Sequence, residues 1–172
     1  MLDEKTIERS ITRITHEILE RNHGSTSLCL IGIRTRGIFL AKRIRDKIEE
    51  IEKRQLPVGV LDITMYRDDI GRLKAPQVQK TDIPFNVNGM TIVLVDDVLF
   101  TGRTTRAAID AIMDLGRPNK IQLAVLVDRG ARELPIQPDY SGLHFTAAPE
   151  EEVSVKLRDI DGKDEVLLSI PT

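Results

Sequence analysis

Apolar positions at Ile7, Ile11, Ile14 and Ile18 follow steps of four, three and four, so they predict a helix from about Glu4 to Asn22 that ends at Gly24. Ser27 to Ile33 is near-continuously apolar and ends at a glycine-flanked loop, the pattern of a strand buried on both faces of a parallel sheet. Ile38, Ala41, Ile44, Ile48 and Ile51 restore the helical period, Glu52 to Gln55 closes that helix before Pro57, and a strand over Val58–Ile63 follows. From Thr64 to Phe85 the period is lost; a long polar stretch of this kind inside a compact domain is functional or mobile. A third strand, Thr91–Val95, leads through a polar loop, Asp96 to Arg103, into a helix bearing Ala107, Ala108, Ile109, Ala111, Ile112 and Leu115, stopped by Gly116 and Pro118. Ile121–Val127 is the fourth strand. The alternation predicts an α/β fold with a mainly parallel central sheet flanked by helices. Beyond Asp128, short segments broken by Gly130, Pro135, Pro138, Gly142 and Pro149 lead to a hairpin of Val153–Leu157 with Val166–Ile170 around Asp161-Gly162, a small appendage on the core.

Composition narrows the class without changing this picture. The 172 residues carry 25 Lys and Arg against 27 Asp and Glu, a net charge of -2, with 41% hydrophobic and 30% charged residues. That suits one globular domain over residues 1–172, able to bury about two-thirds of its unfolded surface. No apolar run nears the ~18 residues a membrane helix needs. The N-terminus lacks a secretory signal and Cys29 has no second cysteine to pair with, so a cytoplasmic protein is expected. Balanced charge argues against a wholly basic nucleic-acid-binding domain. One local face differs, because Arg9, Thr12, Arg13 and His16 project opposite the isoleucine stripe of the first helix and form a polar, partly basic surface.

The chemistry concentrates in IVLVDDVLFTGRTTR, residues 92–106. A buried strand delivers Asp96 and Asp97 at its C-terminal end, where ligands of open α/β sheets bind. Thr101, Gly102, Arg103, Thr104 and Thr105 then open a helix whose free N–H groups and hydroxyls make a phosphate cradle, with Gly102 allowing close approach. Paired acceptors for vicinal hydroxyls beside donors for a phosphate suit a sugar phosphate. Neither G-x-x-x-x-G-K-[ST] nor G-x-G-x-x-G occurs, which disfavours P-loop kinases and dinucleotide-binding dehydrogenases.

The run IVLVDDVLFTGRTTRAAIDAI resembles the phosphoribosyl pyrophosphate motif of type I phosphoribosyltransferases. ITRITHEILERN, LIGIRTRGIFLAKRI, GVLDITMYRDDI and DLGRPNKIQLAVLVDRGARELPI are similar to the PyrR family across roughly residues 5 to 142. That resemblance implies a Mg²⁺-dependent uracil phosphoribosyltransferase that makes UMP and pyrophosphate. It implies that Asp96 and Asp97 hold the ribose hydroxyls and that 101–105 hold the 5-phosphate. Arg34, Thr35, Arg36 and Gly37 match the family's pyrophosphate loop. Thr64 to Lys80, with Tyr66, Arg67, Asp68 and Asp69, resembles a loop that closes over the site, and Arg67 is placed with the catalytic residues. Elements within 128–172 match a hood over the base, with Arg129 nearest the nucleotide; His16, His23 and His144 lie outside every motif.

The family also implies UMP-dependent binding of an operon-leader RNA stem-loop, with UMP or UTP as ligands and a homodimer or homotetramer as the assembly. The face of Arg9, Thr12, Arg13 and His16 would contribute to RNA binding. Ala131, Gln137 and Leu143 depart from the cationic or polar residues of many relatives, and Phe100 replaces a usual Tyr. The alternatives are a UMP-sensing RNA regulator with little catalysis and a salvage enzyme that has lost RNA regulation.

Overall fold

The computed structural model describes residues 2–170. Its elements are α1 (Glu4–Arg21), β1 (Leu28–Ile33), α2 (Arg36–Glu52), β2 (Val58–Leu61), two 3-10 turns (Thr64–Tyr66 and Ile70–Arg72), β3 (Thr91–Leu99), α3 (Arg103–Leu115), β4 (Lys120–Asp128), β5 (Tyr140–His144), β6 (Glu152–Lys156), the single turn α4 (Arg158–Asp161) and β7 (Glu165–Ser169). The first five strands form one parallel sheet in the order β2-β1-β3-β4-β5, while β6 and β7 pair as an antiparallel hairpin.

The isoleucine stripe of α1 explains why that helix forms where it does. Ile7, Ile11, Ile14 and Ile18 are all buried, each contributing roughly 1.5–3 kcal/mol, and Asp3 caps the helix by accepting from the Thr6 N–H at 2.8 Å. Within the sheet, alternate residues serve opposite layers. Leu28, Leu30, Val93, Val95, Ala124 and Leu126 pack under α1 and α2, and Cys29, Ile31, Ile92, Leu94, Leu123 and Val125 pack under α3. Burial pushes the Cys29 thiol up to about 12, so at neutral pH it is an apolar filler rather than a nucleophile.

Three departures from the sequence pattern have physical causes. Strand β3 runs on through Asp96 and Asp97 to Leu99, because Val98 and Leu99 keep pairing with Val127 and Asp128 of β4; the acid pair therefore sits in a strand, not in a loop. Strand β5 has only Tyr140 buried and gives no apolar run, yet it pairs with β4 from Ala124↔Tyr140 onward. Gly142 is required there, since a Cβ would lie 2.6 Å from the Leu126 carbonyl oxygen. Finally, the hairpin is no appendage: Val155, Leu157 and Val166 join the α1–α2 core, and Leu2 bridges to Val166. Its two strands pair in the expected region but are joined by α4 rather than by a tight turn.

Candidate active site

The sheet order reverses between β1 and β3, and the crevice beyond the strand ends at such a reversal is where open α/β sheets bind ligands. Each strand there delivers one of the two loops singled out by sequence. After β1, the Arg34–Thr35 peptide is cis and α2 begins at Arg36. After β3, Gly102 adopts φ +93 and α3 begins at Arg103. The first intrahelical bond of α3 runs from the Arg106 N–H to the Gly102 carbonyl. The N–H groups of Arg103, Thr104 and Thr105 thus precede the helical ladder and suit an anion.

The two loops are locked together by Gly37. A Cβ there would lie 2.4 Å from the Val95 carbonyl oxygen and 3.3 Å from the Asp96 Cα, so the start of α2 rests directly on the strand that bears the acid pair. Gly37→Ala is expected to lift α2 off β3, at a cost of about 1–3 kcal/mol. Thermal unfolding would register that loss.

Asp96 is buried and Asp97 half-buried. The Asp97 N–H donates to Asp96 Oδ1 at 2.9 Å, and the Val98 N–H donates to Asp97 Oδ1 at 2.9 Å. Burial, and then the neighbouring Asp97 carboxylate, push the Asp96 carboxyl well above the usual range. This is a pair held ready to accept from hydroxyls and to offset positive charge.

Next to it, Arg67, Asp68, Asp69, Thr101, Arg103 and Thr104 line a cavity of about 200 Å³. The loop after β2 and the segment that opens α3 therefore meet. Arg67 pairs with Asp69 through Nε and Nη2 at 2.8 and 2.7 Å, and Arg103 bridges Asp68 and Glu133 at 2.5 and 2.7 Å. These pairs are exposed, and each adds little to stability. Further ties dock the loop on α3: the Tyr66 hydroxyl donates to Asp114, and Arg106 donates to the Tyr66 carbonyl. At the loop's base, burial pushes the Asp62 carboxyl up, but the Thr64 hydroxyl and the N–H groups of Gln79 and Thr64 outweigh it and leave the group low. One side chain departs from expectation. Thr105 is buried, because it falls on the same helical face as Ala108 and Ile112, and so offers the cradle its N–H rather than its hydroxyl.

The remaining expected residues are placed as follows. Arg34 donates through Nε and Nη2 to the Lys80 carbonyl at 2.9 and 2.7 Å, and Arg36 pairs with Asp161. Arg129 is buried with its guanidinium over the Phe100 ring, 3.8 Å from the centroid, so the Phe in place of Tyr serves as a stacking surface. Arg9, Arg13 and His16 are exposed on α1, whereas Thr12 bonds back to the Glu8 carbonyl. Arg13 donates to the Ser141 and Gly142 carbonyls at 3.1 and 2.7 Å, tying α1 to the edge strand β5. Part of that basic face is therefore committed to the fold.

Sequence reasoning missed a network centred on Asp128. Arg132 pairs with Asp128 at 2.7 Å and donates to the carbonyls of Ile136, Phe100 and Gly130, while His144 Nδ1 lies 3.0 Å from Asp128 Oδ2. His144, the last residue of β5, thus ties that strand to the residue preceding Arg129. A readable signal existed, since an acid closing a buried strand with an arginine four residues later calls for pairing.

A five-stranded parallel sheet with an acid pair and two basic loops at its reversal defines a type I phosphoribosyltransferase. Residues 1–159 match the phosphoribosyl transferase domain. The chain is 57% identical over 169 residues to the Bifunctional protein PyrR of Pelotomaculum thermopropionicum, covering 98% of this chain and 93% of the relative. It is 56% identical to the Bifunctional protein PyrR of Clostridioides difficile, covering 98% and 96% of the two chains. The chain belongs to the PyrR family of phosphoribosyltransferases. Among solved structures, the hypoxanthine phosphoribosyltransferase of Trypanosoma cruzi superposes with a TM-score of 0.75 at 15% identity, over 100% of this chain and 96% of that one. The hypoxanthine-guanine phosphoribosyltransferase of Bacillus anthracis superposes with a TM-score of 0.73, also at 15% identity, over 99% and 96%. At such identity these two report the fold.

Proposed function

We propose that the chain transfers the phosphoribosyl group of phosphoribosyl pyrophosphate to uracil, giving UMP and pyrophosphate, and that it binds an operon-leader RNA stem-loop when UMP is present. The observation that carries the catalytic reading is the acid pair Asp96–Asp97 set between two basic loops at the sheet's reversal. Asp96 and Asp97 accept from the ribose 2- and 3-hydroxyls. As the C1–oxygen bond to pyrophosphate breaks and the bond to the uracil nitrogen forms, their charge offsets the positive character of the ring. The N–H groups of 103–105 with Thr101 and Thr104 hold the 5-phosphate, Arg34 to Gly37 receive the pyrophosphate, and Arg67 closes over the site with its loop. Arg129 on Phe100 presents a flat surface to the base. Mg²⁺ fits this donor set, because the strand-end carboxylates are hard oxygen donors. The ion would arrive with the pyrophosphate, whose negative charge it neutralises.

The test is product formation. Purified protein with Mg²⁺ and phosphoribosyl pyrophosphate is expected to convert uracil to UMP in a panel that also contains orotate, hypoxanthine and guanine. No UMP at high enzyme concentration would overturn the catalytic reading.

For the regulatory half, Arg9, Thr12, Arg13 and His16 of α1 supply the face, with Arg13 also tied to β5. Filter retention of the leader RNA of its own pyrimidine operon at ~0.1 M salt, with and without UMP or UTP and against a scrambled stem-loop, tests it. Specific, UMP-enhanced retention is expected. Equal retention of the scrambled RNA would leave a salvage enzyme, in keeping with Ala131 and Gln137 and with an Arg132 turned inward. We further assign a cytoplasmic site of action and a homodimer or homotetramer, which light scattering would resolve. No helix of the described residues is long and apolar enough to cross a membrane.

A further inference from the structure

The hairpin at the end of the chain reaches the opening of α2. Arg36, the first residue of that helix, directs Nη2 at Asp161, 3.0 Å from Oδ1 and 3.3 Å from Oδ2. The two residues are separated by 125 positions in sequence. Asp161 is itself fixed, because its Oδ2 accepts from the Leu157 N–H at 2.8 Å and its own N–H donates back to the Leu157 carbonyl at 2.7 Å. Leu157 is fully buried in the core. The turn that carries Asp161 is anchored a second time on α2, where Arg43 grips Asp164 through Nη1 and Nη2 at 2.9 Å each and also pairs with Asp159. A rigid support thus holds one end of the Arg36 guanidinium. The other end tells a different story: Arg36 Nε is buried and has no hydrogen-bond partner among the described residues. A buried donor without a partner is costly, and an acceptor carried by a ligand would relieve it.

Resting on the reading of Arg34–Gly37 as the pyrophosphate loop, we propose that Asp161 is a positioning residue for pyrophosphate recognition. It holds Nη2 so that the guanidinium plane is set and the Nε side is left for the anion. The hairpin thereby becomes part of the anion site without touching the anion. A guanidinium held on one edge loses less freedom when it binds a phosphate, so the benefit is read in affinity rather than in the chemical step.

The experiment is titration calorimetry of pyrophosphate, together with steady-state kinetics in phosphoribosyl pyrophosphate and uracil, on the wild-type chain and on Asp161→Asn, Asp159→Asn, Arg36→Ala and the Asp161→Asn/Arg36→Ala double variant. Asp161→Asn keeps the side chain's size and its acceptor for the Leu157 N–H. It is expected to weaken pyrophosphate binding and raise the KM for phosphoribosyl pyrophosphate by roughly 3- to 30-fold, inside the range found for coupled neighbouring residues. The KM for uracil and the kcat stay near wild type. Asp159→Asn, which also removes a hairpin–α2 pair but makes no contact with Arg36, is expected to bind pyrophosphate like wild type. In the Arg36→Ala background the Asp161 change has no further effect. Equal losses in Asp159→Asn and Asp161→Asn, or an additive loss in the double variant, would mean that the hairpin merely supports the fold, and the proposal would be overturned. Wild-type affinity in Asp161→Asn would overturn it as well. A wild-type chain that binds no pyrophosphate would instead remove the loop reading on which the proposal rests, and the proposal with it.

Discussion

Asp97→Asn is expected to lower the rate of UMP formation by roughly 10²–10³-fold, the usual loss when one preorganised electrostatic group at a reacting centre is removed. The Asp97 carboxylate is half-exposed, and its structural duty is limited to accepting the Val98 N–H at 2.9 Å. An Asn oxygen can do the same, and removing the charge relieves part of the pressure on Asp96, so the thermal midpoint is expected to hold or rise slightly. Asp96→Asn should divide the two properties further. Burial and the Asp97 charge raise the Asp96 carboxyl, so at neutral pH the folded state bears the cost of ionising a desolvated group that the unfolded chain ionises freely. The sign follows directly: a raised acid favours the fold at low pH and opposes it as pH rises toward and beyond the folded-state value. Removing the charge is therefore expected to raise the midpoint at pH 7 by about 2–5 °C while turnover collapses. Scanning calorimetry beside an initial-rate assay would show it. A midpoint that falls in both variants would mean that the acid pair serves the fold rather than the chemistry.

The second large effect lies outside the reacting centre. Arg132→Met removes the guanidinium partner of Asp128, whose side chain is 4% exposed, and three donations to backbone carbonyls of the surrounding loop, leaving only the Gly130 N–H and His144 beside the carboxylate. Stranding a buried carboxylate in this way costs about 3–5 kcal/mol, so the midpoint is expected to drop by on the order of 10 °C. The pH dependence identifies the cause. Burial pushes the Asp128 carboxyl up, but the Gly130 N–H, Arg132 and His144 outweigh it and leave the group below its ordinary value. A lowered acid stabilises the fold above its unfolded value near 4 and loses that contribution as pH falls through the folded value. The gap between wild type and Arg132→Met should accordingly be widest above about pH 4 and should narrow in stronger acid. A gap independent of pH would point to lost packing of the arginine stem instead.

Legibility in the sequence followed the range of the forces involved. The three long helices, α1 to α3, and the first four strands were readable because their burial is periodic and local. The isoleucines of α1 and the run of β1 state which faces turn inward. The acid pair and both basic loops were readable because strand, turn and helix start are contiguous in sequence, although the end of β3 was misjudged where pairing with β4 overrode polar side chains. Strand β5 was not readable. Its place comes from backbone pairing and from the reach of Arg13, neither of which leaves a hydrophobic pattern. The Arg36–Asp161 pair was hidden for the same reason, since a salt bridge between distant positions has no local signature, whereas the Asp128–Arg132 pair, four residues apart, could have been read.

The pairing of Arg36 with Asp161 also bears on how the chain acquires its competence during synthesis. The ribosome releases Arg34–Gly37 early, yet β1 finds its neighbour β3 only when residues 91–95 have emerged to meet 28–32. Asp161 arrives later still. A nascent polypeptide halted before the hairpin has every strand of the parallel sheet but lacks the carboxylate that pairs with Arg36. Retention on an immobilised pyrophosphate matrix would consequently report translation through residue 161, and chains ending before the hairpin are expected to be held more weakly.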